Sequence, residues 1–88
     1  MLPDRLNARI ASTISNTIDE ERASADTASP RWRERCEVAK VAMLSDPERR
    51  IFISHVADSR GSAAATDLDH SASQMRTSAI FILARKPS

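Results

Sequence analysis

The stretch Ser29–Gly61 carries two helix starts and one helix stop, and that punctuation leaves it little to become except two successive helices. Ser29-Pro30 offers a hydroxyl that can cap a first turn, followed by a proline where its missing N–H costs nothing. Ser45-Asp46-Pro47-Glu48 repeats the device as a capping box, with serine and glutamate three apart. Gly61, the only glycine in the chain, stands where the second helix should end, because glycine takes positive φ without steric cost. Trp32, Cys36, Ala39 and Met43 recur at i, i+4, i+7 and i+11, which makes one apolar stripe. Phe52, Ile53, Val56 and Ala57 share a face of the next helix. Val41 points away from the first stripe, beside Glu34 and Glu37. Ile51 and His55 lie opposite the second face.

The flanks extend the helical pattern. Leu2, Leu6, Ile10, Ile14 and Ile18 are spaced by four, and Pro3 suits a first turn. Each step of four overshoots a full turn by about 40°, so this stripe winds around its helix and suits a steep crossing. After Gly61, Ser62 reads as a fresh cap, and Leu68, Ala72, Met75, Ala79 and Ile82 continue at helical spacing. Residues 79–84, Ala-Ile-Phe-Ile-Leu-Ala, also read as an extended segment, though no partner strand is evident. Helix is the preferred reading, and Ile80 and Phe81 fall off its stripe. The expected fold is all-α: a single small domain, 1–88, with about four helices near 3–22, 30–44, 46–60 and 62–84 and a central helical hairpin over 30–60.

Charge and composition exclude several function classes. Thirteen basic residues against twelve acidic give a net charge of +1, whereas non-specific nucleic-acid binders carry a clear basic excess. One cysteine permits no intramolecular disulfide and no cysteine-based zinc cage. No apolar run is long enough to span a membrane, and the N-terminus lacks the apolar core of a signal peptide. A cytoplasmic protein, in a bacterium or a phage-infected cell, is the expectation.

Few residues invite chemistry. Cys36 lies on the inner stripe beside Trp32, where a thiol reads as core. His55, His70 and the run Asp67-x-Asp69-His70 lack the repeated spacing of a metal site, so they read as helix surface. Glu20/Glu21 and Asp67/Asp69 would need a cleft to separate their pKa values before they could do acid–base work. No phosphate-binding loop, dinucleotide fingerprint or nucleophile elbow is present. Neither a catalytic centre nor a cofactor or metal site is expected. Arg49 and Arg50 stand out, because positive charge opposes the dipole at a helix start. Either they await an anionic partner, or they pair within a network of Glu34, Glu37, Asp46 and Glu48.

Three segments together carry a family resemblance: Arg33 to Glu37 (R-x-R-C-E), Met43 to Val56 (M-L-S-D-P-E-R-R-x-F-I-x-x-V) and Arg60 to Ala65 (R-G-S-A-A-A). Residues 31–68 resemble a group of short uncharacterised proteins of bacterial prophages. In that group the turn has a Leu-Pro form, while here Ser-Asp precedes the proline. The resemblance implies a phage or mobile-element context and a binding role in preference to a catalytic one.

The leading functional expectation is therefore a non-enzymatic helical adaptor or inhibitor that binds another protein, possible targets including a host defence complex. The candidate contact residues are Arg49, Arg50, Ile51, His55, Val41, Ile80 and Phe81. Second stands a nucleic-acid-binding regulator that uses the 30–60 hairpin as a helix-turn-helix. Third stands a structural homo-oligomer, with the first helix as its seam.

Overall fold

A computed structural model describes the backbone of residues 2–85 and the side chains of residues 5–85. Four helices account for nearly all of it: α1 (Leu2–Arg22), α2 (Pro30–Met43), α3 (Asp46–Arg60) and α4 (Ser62–Arg85). Residues 79–84 are helical, so the extended reading is set aside.

Both serine starts form as expected. The Trp32 N–H donates to Ser29 Oγ at 3.1 Å, with Pro30 in the first turn of α2. At α3, the Ser45 N–H and hydroxyl both donate to Glu48 Oε1, at 3.1 and 2.8 Å. Gly61 ends α3 at φ 96° and ψ 159°. This is not the left-handed helical cap expected of a glycine stop. It is a region open essentially to glycine alone. The Gly61 N–H donates to Ala57 O at 3.0 Å, and its own carbonyl accepts from the Ala65 N–H at 3.2 Å. One residue thus closes α3 and opens α4, and Ser62 is already helical.

Space around Gly61 is open, since an added Cβ would meet nothing within 4 Å. The constraint lies in the backbone alone. Gly61→Ala should therefore cost about 1–3 kcal/mol. Asparagine, which tolerates the left-handed helical region but not this one, should give no relief. Urea unfolding of the two variants checks both statements.

α1 and α2 run antiparallel: the Asn7 side chain reaches Met43 O near one end, while Glu21 binds Arg35 near the other. α4 packs against all three other helices. α3 lies against α4 and approaches α2 only sparsely, and α1 and α3 do not meet. The α2–α3 hairpin is held by side-chain bridges, Arg60 to Glu37 and the Lys40 ammonium over the Phe52 ring at 5.9 Å, in place of a packed seam.

The core is built from Ile10, Ile14 and Ile18 of α1, Trp32, Ala39, Val41 and Ala42 of α2, Val56 of α3, and Ala65, Leu68, Ala72 and Ala79 of α4. Its many alanines let backbones approach closely, which suits a thin body of 42 × 35 × 14 Å. Leu6, expected inside, is 51% exposed. The drift of a four-residue spacing explains this. Ile10, Ile14 and Ile18 straddle the buried line, and one further step back rotates Leu6 off it.

Candidate functional site

The turn between α2 and α3 gathers polar side chains from α1, α3 and α4. The last carbonyls of α2 have no intrahelical donors. Arg76 of α4 supplies them: its Nη1 donates to Ala42 O at 2.8 Å, to Leu44 O at 3.4 Å and to Asn7 Oδ1 at 2.8 Å. Asn7 in turn donates to Met43 O at 3.4 Å. Arg49 of α3 adds a bond from Nη1 to Leu44 O at 3.1 Å and an ion pair with Asp46. All four helices therefore meet at one cluster, with cations placed at the negative end of α2's dipole. Burial first, and then the neighbouring Arg49, pull the Arg76 pKa below the usual arginine value. The guanidinium stays charged all the same.

Arg49 is a first correction to the expected open edge: its side chain is only 16% exposed and turns inward, where it braces the turn. Val41 is a second correction. It is fully buried, because α2 packs against both α1 and α4 and so loses two faces to the interior. Val38, Val41 and Ala42, at i, i+3 and i+4, form a second stripe that the Trp32 stripe obscured.

The remaining candidate residues stay outside. Arg50, Ile51 and His55 are exposed on α3, with Ile51 at 60%. Arg50 has no carboxylate partner among the described residues. Beside it runs a shallow groove of about 530 Å³ between α3 and α4, edged by Asp46, Arg50, Ile53, Asp69 and Ser73. Ile80 and Phe81 are exposed on the last turns of α4, as a separate patch. His70, Asp67 and Asp69 are exposed on α4, and Cys36 is half-buried against the core.

The expected arginine–acid network is realised in part. Arg60 pairs with Glu37 and Arg49 with Asp46, while Glu48 serves the capping box. A bidentate pair went unforeseen: Arg35 donates from Nε and Nη2 to Glu21 at 2.8 and 2.7 Å, tying α2 to α1. Arginine hydrogen bonds hold the carboxyls of Glu21, Glu37 and Asp46 below their ordinary range, and the Ser45 hydroxyl and N–H do the same for Glu48. A carboxyl with a depressed folded-state pKa adds stability that is present above its unfolded value, near 4, and lost as pH falls through the folded one. Thermal unfolding followed by circular dichroism should show a flat midpoint near neutrality and a fall below about pH 4.5.

Residues 25–79, from the α1–α2 loop through most of α4, match the sequence profile of DUF7696, a family of unknown function. The chain belongs to that family. The matched segment contains Arg49, Arg50, Ile51, His55 and Arg76, and leaves out α1 and the exposed pair Ile80 and Phe81. No curated protein and no solved structure matches the chain.

Proposed function

We propose that this DUF7696 member is a non-enzymatic binding protein, acting in the cytoplasm as an adaptor or inhibitor of another protein in a phage or mobile-element setting. One observation carries the reading. Among the described residues, four large apolar side chains, Leu6, Ile51, Ile80 and Phe81, are exposed, beside only seven that are buried, Ile10, Ile14, Ile18, Trp32, Val41, Val56 and Leu68. A fold that spends its larger side chains this way has surface to share.

The contact edge we assign is Arg50, Ile51 and His55. It lies within the segment shared with the family, on the outward side of a helix whose inner side already rests on α4. An exposed isoleucine there lies beside Arg50, which has no carboxylate within ion-pair distance among the described residues, and arginine is enriched among the residues that carry interface energy. The helix-turn-helix alternative gains less support. The exposed side of α3 mixes Asp58 with Ile51, and Arg49 is already committed to the turn.

Affinity capture from host lysate tests the reading. The wild-type chain should enrich one stoichiometric partner, and Ile51→Asp and Arg50→Glu should each lose it while keeping the helical circular-dichroism spectrum. Failure to retain any partner, or capture unaffected by both substitutions, would reject it. Retention of nucleic acid with a steep salt dependence would instead favour the regulator.

A further inference from the structure

Two guanidinium groups share one oxygen at the start of α3. Arg49 and Arg76 both donate to Leu44 O, at 3.1 and 3.4 Å. Like charges held that close call for carboxylates nearby. Asp46 answers Arg49, while Glu48 is turned into the capping box. A third guanidinium, Arg50, edges the adjacent groove between α3 and α4 and has no carboxylate within ion-pair distance among the described residues. Asp69 lines the α4 side of that groove and likewise pairs with no cation among them. Three cations therefore meet two carboxylates, and Arg50 is the exposed cation of the three. We propose that this groove takes a single acidic side chain of the protein partner, its carboxylate on Arg50 and an apolar neighbour on Ile51.

The inference rests on the contact edge assigned above and adds the chemistry of what binds there. Complementary charge is how protein surfaces select and orient a partner. Asp46 shows that an anion is favoured at this place: the hydrogen bond and charge of Arg49 hold its carboxyl below the ordinary range, and Arg76 and Arg50 add their own charge. One cation in excess suits one carboxylate, which the planar fork of arginine grips through two parallel bonds. It does not suit a nucleic-acid backbone, whose run of phosphates needs several free cations. Such a backbone would also meet Asp46 and Asp69 at the rim. The apolar surface points the same way. Ile51 is exposed next to Arg50, and Ile53 is half-buried on the groove wall. A protein segment brings an acid and an apolar side chain together; a phosphodiester chain does not.

Defined probes and the purified full chain test this. A fluorescently labelled peptide of repeated Leu-Glu-Ala units, followed by anisotropy at low salt, should bind about two- to fivefold more tightly than its Leu-Gln-Ala analogue, the range of one exposed ion pair. Arg50→Gln should erase that preference. Asp69→Asn should widen it, because it removes a carboxylate that repels the incoming acid. Both positions are exposed, and each variant should keep the helical circular-dichroism spectrum. Equal binding of the two peptides, a preference that survives Arg50→Gln, or one that narrows in Asp69→Asn overturns the assignment. Selective binding of an oligothymidylate in place of the acidic peptide overturns it too. The lysate capture described above separates this from the broader reading. A partner that is captured and then lost in Ile51→Asp, with no preference for the acidic peptide, removes the acidic specificity and leaves the contact edge standing.

Discussion

Val41→Glu is expected to leave the chain unfolded. Val41 has no exposed surface at all, and α2 is enclosed there between α1 and α4. A glutamate at that position would bury a charge with no partner, a change that costs roughly 3–5 kcal/mol where it has been isolated. A chain this short holds a total stability of only several kcal/mol. The variant should therefore lose its helical circular-dichroism signal, whereas Val41→Ala should remain folded with a lower urea midpoint. The spacing of the Trp32 stripe alone would place Val41 outside and make the glutamate harmless, so this one substitution separates the two descriptions of α2.

The second large effect is expected at Arg76. Arg76→Met keeps most of the side chain's bulk but removes the donor shared by Ala42 O, Leu44 O and Asn7 Oδ1. Leu44 O keeps its bond from Arg49, but leaving Ala42 O and Asn7 Oδ1 without this donor costs about 1–3 kcal/mol, and the loss of a cation at the end of α2 adds several tenths more. Arg76→Lys should fall between wild type and methionine, because an ammonium keeps the charge but lacks the planar fork that reaches several acceptors. Urea midpoints for the two variants give that order directly.

Helix positions were legible because their signals are local. Ser29-Pro30, the Ser45–Glu48 box and Gly61 act within a turn of themselves, and each stands where the pattern put it. What covers a helix is not local. Val41 and Ala42 are buried because α4 returns over α2, a contact between segments far apart in the chain. Arg49 was read as exposed from its place at a helix start, yet the free carbonyl of Leu44 drew it inward. Arg76 stands among serines and threonines, with no local motif to mark it. A signal existed all the same: it stands four after Ala72 and three before Ala79, both buried, so it sits on the edge of the core face of α4. An arginine in that register needs internal acceptors, and the unpaired end of a neighbouring helix is the usual supplier. Of the contact edge, Arg50, Ile51 and His55 were legible because α3 turns one face to α4 and the opposite face follows from helical geometry.

The way α3 is attached has a consequence for how the molecule breathes. α1, α2 and α4 touch one another pairwise, whereas α3 rests chiefly on α4 and ends at the single joint of Gly61. Detaching α3 would uncover Val56 together with Phe52, Ile53 and Ala57 and the face of α4 they rest on, yet would leave the other three helices in mutual contact. The protein is thus organised as a three-helix body with one arm, and the arm carries the edge assigned to partner binding. Release of that arm is the one helix detachment that keeps the other three in mutual contact, so its amides are expected to exchange together, as a unit separate from the three-helix body, in native-state hydrogen exchange.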